Sequence, residues 1–293
     1  DASLPERGLM DLGLMKLPSI IPFDNDRNRT SPVAFTGNKF EFRSPGASQS
    51  IALPITMFAS IWAWGVEQLT GMIEARSVDG KDPMDVALDA VKEAVRQGQN
   101  VLFEGDAYSP EWHAEAKRRG LLQAETMPEK IDLLLLPENK KMLEELGVFH
   151  EHELEALHDI RMEAFVRSLE IEVAILYDML WEGILPALSK QLILEKNSLS
   201  ALDGMEFPEG EPWREYILGL GRTRAALIED AHRLNELRGR MAELPVRERA
   251  DFLVGTAIPL MDSIRRRCDA AEVNMAADIW PYPISRNLLS LSV

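Results

Sequence analysis

From Glu151 to Ala276 apolar residues return at three- and four-residue steps along almost the whole stretch. That pattern commits the second half of the chain to long helices packed side by side. Met162, Phe165, Leu169, Val173, Leu176 and Leu180 form one apolar stripe along a helix that begins near Glu151, and Pro186 predicts a kink in it. A second long helix is expected from about Pro212 to Leu244, where Pro245 stops it, and a third from about Val246 to Ala276 with a kink at Pro259. Short connections make neighbouring helices antiparallel, so the three should form a bundle. Ser198 to Pro212 reads as a flexible connection. There is no internal repeat and no low-complexity tract.

Upstream, the most apolar run is Ile51 to Val66. It contains Pro54 and falls short of the roughly 20 residues that a membrane span needs, so a buried helix is the expectation. Leu69, Met72 and Ile73 extend it at helical spacing, and Trp62 and Trp64 read as core or interface residues. Ser77 to Pro83 should be a loop, and Pro83 should open a helix through about Gln97. A chain of 293 residues, 46% of them hydrophobic, is long enough for one large or two smaller globular domains. Its net charge of -16 argues against nucleic acid and against an anionic membrane surface as partners. A single cysteine, Cys268, rules out an intrachain disulfide and fits a reducing cytoplasm.

One short segment breaks from the helical pattern. Val33 to Phe35 and Phe40 to Phe42 are two β-prone runs flanking Thr36-Gly37-Asn38, which reads as the tight turn of a hairpin. On an extended strand Phe40 and Phe42 share one face, and Lys39, Glu41 and Arg43 share the other. Same-face neighbours lie roughly 6.5 to 7 Å apart, so a carboxylate between two cations spans about the length of a phosphorylated dicarboxylate. The three charges suit either an ordinary solvated strand face or a chemical one on which Glu41 holds a divalent ion while Lys39 and Arg43 hold anions. Arg29 lies just before the hairpin, placed to reach the same spot.

The string Asn28-Arg29-Thr30-Ser31-Pro32, followed by Ala34-Phe35-Thr36-Gly37-Asn38-Lys39-Phe40-Glu41-Phe42-Arg43, resembles the signature of the type III glutamine synthetases. Further likeness lies in Asp106-Ala107-Tyr108-Ser109 with Glu111-Trp112, in Lys117-Arg118-Arg119-Gly120-Leu121, in Ile184-Leu185-Pro186-Ala187 and in Trp280-Pro281-Tyr282-Pro283. By this resemblance the fold is mainly α, with a short β-hairpin from the end of the family's α+β catalytic domain followed by long antiparallel helices. Residues 1–149 would be the C-terminal part of that catalytic domain, and 150–293 a helical extension and tail. The chain's end looks like a natural C-terminus, whereas Asp1 is no initiator, and the family's N-terminal β-grasp domain and first active-site strands have no counterpart.

The resemblance also implies roles. Glu41 would be a ligand of the metal on the nucleotide side, and Arg43 would contact glutamate and the transferring phosphoryl group. Arg29 would stabilise charge on the transferred phosphate, and Lys39 would lie near the nucleotide. Ala34 stands where the family carries a second arginine, so a nucleotide-phosphate contact would come from Lys39 or another cation. The implied reaction is ATP-dependent ligation of ammonia to glutamate through γ-glutamyl phosphate, with Mg2+ or Mn2+, in a cytoplasmic homo-oligomer of stacked hexameric rings. The remaining metal and glutamate ligands would lie upstream, so this chain alone should be inactive. Alternatives are a helical assembly or regulatory module of the oligomer, and a ligase that makes γ-glutamyl amides from organic amines.

Other groupings have plainer readings. His150, His152, Glu155 and His158 suggest a metal, but His150 and His152 do not share a helix face, and the acidic residues suit the first turns of a helix capped near His150. Gly219 and Gly221 follow no strand and make no phosphate loop. Arg265-Arg266-Arg267 reads as a solvated face or a subunit contact, and Cys268 as a core or half-buried thiol.

Overall fold

Proline and capping residues set most of the helix starts. The structure, a computed structural model, describes residues 33–35, 39–43, 50–77, 80–103, 105–201 and 210–283. The chain forms two compact units, Asp1–Gln123 and Ala124–Val293. The division expected at residues 149/150 falls inside the second unit.

In the first unit, β1 (Val33–Phe35) pairs antiparallel with β2 (Phe40–Phe42) in the register Val33 to Phe42, Ala34 to Glu41 and Phe35 to Phe40. The turn residues Thr36-Gly37-Asn38 lie outside the described residues. Helix α1 (Ala52–Arg76) carries Pro54 in its first turn, where a missing N–H costs nothing, and α2 (Pro83–Gln97) starts at the expected proline. Asp82 caps α2 by accepting the Met84 N–H at 2.8 Å. Ser109 and Pro110 open α3 (Pro110–Arg118) in the same way. The expectation of a buried α1 is not met. Ser60 is its one buried residue, while Ile55, Ile61, Trp62 and Val66 are exposed. An apolar run fixes a helix through local spacing, but burial needs a partner surface, and the described residues give this helix little of one.

The second unit opens with α4 (Met127–Asp132), whose Thr126 and Glu129 form a capping box, and α5 (Pro137–Glu145). Then come α6 (Glu151–Asp178), α7 (Leu185–Ser200), α8 (Gly210–Met241), α9 (Val246–Phe252) and α10 (Ile258–Glu272). Between α6 and α7 the helix continues through a π-turn at Met179–Ile184, and between α9 and α10 through another at Leu253–Ala257. These π-turns lie where the sequence predicts kinks. A proline ring collides with the carbonyl four residues back, which is Glu182 for Pro186 and Gly255 for Pro259. Both carbonyls fall in the wider turn, so the chain absorbs each proline by changing helix type and continuing.

The long helices run antiparallel. Along α8, Trp213, Arg224 and Arg238 meet Glu195, Ser189 and Tyr177 in that order, descending the α6–α7 rod. On α8's other side Tyr216, Asp230 and Arg240 meet Asn274, Arg267 and Phe252, again descending. The core between them contains Met162, Val166, Leu169, Val173 and Leu180 of the predicted stripe, with Phe165 and Leu176 partly buried against it. Leu227, Leu234, Leu253 and Ile264 are fully buried, each contributing about 1.5 to 3 kcal/mol over an exposed position. Trp280 closes the core from the C-terminal side, and Tyr282 packs against Gly183 in the first π-turn.

Candidate active-site hairpin and its relatives

Alternation along β2 places Lys39, Glu41 and Arg43 together, and the side chains meet. Glu41 Oε1 lies 3.3 Å from Lys39 Nζ, and Glu41 Oε2 accepts from Arg43 through Nη2 at 3.2 Å and Nε at 3.3 Å. One carboxylate is thus shared by an ammonium and a guanidinium fork. The hydrogen bonds from Lys39 and then from Arg43 hold the Glu41 carboxyl below its usual range, so it is an anion throughout the neutral range. The Arg43 side chain is mostly buried, at 16% exposure, whereas Lys39 is open at 64%. Arg43 is the fixed cation of the three and Lys39 the adjustable one.

The opposite face is only half covered. Phe40 and Phe42 remain 50% and 40% exposed, although Phe40 meets Trp62 edge-on at 4.5 Å and Phe42 lies 6.4 Å from Phe58. Two strands with one helix touching their aromatic side cover only part of that surface. Ala34 is buried at 5% and directly opposite Glu41 in the ladder, so the two side chains share a face. The position where the resemblance expects an arginine therefore adjoins the carboxylate, and methyl-sized Ala34 leaves Lys39 and Arg43 as Glu41's cationic neighbours. Arg29 lies outside the described residues.

Mg2+ requires oxygen ligands, and a carboxylate is a fitting one. Among the described residues no three His, Cys, Asp or Glu side chains gather around a common point. Glu41 fits a divalent ion as one ligand of a shared site, and the other oxygens must come from elsewhere. The histidine grouping divides between two sets of contacts. His150 is the N-cap of α6, where the Glu153 carboxylate accepts its backbone N–H at 2.8 Å, and its ring lies beside that of His152 at 5.8 Å. His158 instead joins Asp132 and Asp159, each at 3.0 Å. Among the described residues no helix is long and apolar enough to cross a membrane.

Sequence reasoning gave no role to Arg119. Its guanidinium donates to the carbonyls of Asn100 and Leu102, pairs with Glu115 and lies over the Trp112 ring at 5.4 Å. Trp112 in turn stacks on Phe103 at 4.3 Å. These residues tie α3 to the segment after α2. The Lys-Arg-Arg-Gly run marked the position, but only the fold shows which of its cations turns inward.

Residues 87–200, from α2 to α7, match the family described as the glutamine synthetase C-terminal domain. Nearly the whole chain is similar to a type-3 glutamine synthetase from Dictyostelium discoideum, at 29% identity over 99% of this chain and 40% of that protein. It is also similar to a glutamine synthetase from Bacteroides fragilis, at 28% identity over 97% of this chain and 40% of the relative. A third, from Butyrivibrio fibrisolvens, is 26% identical over 91% of this chain and 38% of its own length. The chain thus spans about two fifths of the curated relatives it matches. The hairpin precedes the family match but lies within the Dictyostelium alignment. The chain is thus similar over residues 87–200 to the glutamine synthetase C-terminal domain, and over nearly its whole length to part of a type-3 glutamine synthetase.

Proposed function

We propose that this chain is the C-terminal portion of an ATP-dependent glutamate-ammonia ligase and supplies one wall of its active site. The observation that carries the reading is Glu41, an ionised carboxylate held between Arg43 and Lys39 on one strand face. In this reading residues 1–149 end the catalytic domain and 150–293 extend it, in a cytoplasmic homo-oligomer of stacked hexameric rings.

The chemistry asks little covalent work of the protein. Glutamate's side-chain carboxylate attacks the γ-phosphorus of ATP and ADP leaves; ammonia then attacks the acyl carbon of γ-glutamyl phosphate and displaces phosphate. Negative charge on the phosphoryl oxygens is the main obstacle, and preorganised cations lower it. Arg43, largely buried and braced by Glu41, binds the glutamate carboxylate and the phosphoryl group without first being ordered. Lys39, exposed on the same face, reaches the nucleotide phosphates. Arg29 adds charge at the transferred group. Glu41 is the divalent-ion ligand on the nucleotide side, and Mg2+ or Mn2+ there supplies Lewis-acid neutralisation of the phosphates.

The test compares glutamine formation from glutamate, ammonia and Mg-ATP by this chain and by the chain joined to its upstream coding region. Activity is expected only in the longer protein. In that protein Glu41→Ala should lower turnover by about two orders of magnitude and raise the divalent-ion concentration needed for half-maximal rate. Unchanged turnover and metal dependence would remove Glu41 from the site, and formation of γ-glutamyl amides in preference to glutamine would reassign the acceptor.

A further inference from the structure

Away from the hairpin, the basic run of α10 faces α8 across a groove of about 470 Å3, a size typical of small-molecule sites. Arg222 and Thr223 line it from α8, and Ser263, Arg266 and Arg267 from α10. The side chains at 226 and 270 are alanines, which keep the space between the helices open. Three guanidinium groups and two hydroxyls thus converge in a chain whose net charge is -16.

The arginines differ in how they are engaged. Arg222 pairs with Glu215 two turns back on α8, with both side chains exposed. Arg266 makes no hydrogen bond or ion pair among the described residues. Arg267 Nε lies 3.0 Å from Oδ2 of Asp230, a carboxylate only 2% exposed, in an ion pair that lacks hydrogen-bond alignment. Arg233 is the other cation near Asp230, at 3.6 Å. A buried carboxylate is expensive without counter-charge, so Asp230 holds Arg267 beside the groove and occupies only its Nε edge. The terminal edge of that guanidinium, the unpaired Arg266 and the hydroxyls of Thr223 and Ser263 form a donor set matched to a phosphoryl group.

We propose that the α8–α10 groove binds a small phosphoryl-bearing molecule through Arg222, Arg266 and Arg267, with Asp230 as the positioning residue beneath. The proposal is independent of the reading given to the hairpin. Its rival is that an acidic segment of a second copy of the chain occupies the arginines, and the observations favour the small ligand because the donors surround a groove of small-molecule size and include two hydroxyls.

The experiment is calorimetric titration of inorganic pyrophosphate into the 293-residue chain, with sedimentation velocity in parallel. One saturable site, weakened by added salt, is expected. Arg266→Ala and Arg222→Ala change exposed residues and should each weaken it about tenfold, the loss of a charge-assisted hydrogen bond. Arg265→Ala, which removes a residue paired with Asp269 outside the groove lining, should leave it unchanged. Asp230→Asn should weaken binding while retaining the helical circular dichroism. Lys39→Ala identifies any binding at the hairpin. Absence of pyrophosphate binding at millimolar concentration, or binding indifferent to Arg222 and Arg266, overturns the proposal. Self-association abolished by Arg266→Ala without pyrophosphate binding overturns it in favour of the second copy.

Discussion

Gly183 shows what one residue decides in this molecule. A Cβ built there would lie 2.6 Å from the Tyr282 hydroxyl oxygen and 3.0 Å from the carbon bearing it. The tyrosine hydroxyl donates to the Met179 carbonyl at 3.2 Å, so the first π-turn and the C-terminal segment are fitted to one another at that glycine. Gly183→Ala gains about 1 kcal/mol of helix propensity and loses about 1 to 3 kcal/mol to overpacking. The net expectation is a destabilisation of about 1 kcal/mol in urea unfolding. In a Tyr282→Ala background the same change should become neutral or stabilising, and a persistent loss there would show that Tyr282 is not the obstacle. Cys268 is a plainer case. Burial, and then the nearby Asp269 charge, pushes its thiol up to about 11, which agrees with the core or half-buried thiol read from the sequence.

Among the elements, α7 and α8 are joined by polar groups as well as by leucines. Gln191 is buried; its amide nitrogen donates to Glu195 at 2.6 Å, and its oxygen accepts the Ala276 N–H at 3.2 Å. Glu195 also accepts the Trp213 indole N–H at 2.8 Å. One glutamine therefore connects α7, the start of α8 and the turn after α10. Gln191→Leu keeps the volume but leaves the Ala276 N–H and a Glu195 oxygen without that partner, so about 1 to 3 kcal/mol of stability should be lost. Chemical denaturation with an unchanged m-value checks this. An effect under about 0.5 kcal/mol would mean that water replaces the amide at little loss. The helices themselves were legible from spacing and proline. That polar register was not, because it depends on which faces of three helices meet.

At the scale of the whole molecule, paired groups among the described residues contribute to the pH response. His158 is pulled down by burial but raised more by its hydrogen bonds to Asp132 and Asp159 and by their charges, so its net pKa lies above the ordinary 6.5. A raised histidine contributes stability fully below its unfolded value and loses it as pH climbs through the folded one. The urea midpoint should therefore be higher at pH 6 than at pH 8, and His158→Gln should flatten that difference; an equal slope in the variant would assign it to other groups. Carboxylates act in the opposite sense. Glu115, held at about 2 by Arg118 and Arg119, supplies stability that disappears only on strong acidification. Arg247 pairs with Asp132 from α9 and joins α4, α6 and α9 at the same cluster as His158.

Where the helices begin and end was legible in the chain alone, because capping, proline and apolar period act within a few residues. The chain alone also placed Lys39, Glu41 and Arg43 on one face, since strand alternation is local and fixed by backbone geometry. Tertiary structure alone decided that α1 would leave Ile61 and Trp62 exposed and that Phe40 and Phe42 would be only half covered. It alone brought Arg222 from α8 to Arg266 and Arg267 on α10 over a buried Asp230. Burial and charge convergence depend on surfaces contributed by residues far apart in the chain, and no local pattern encodes which surfaces will meet.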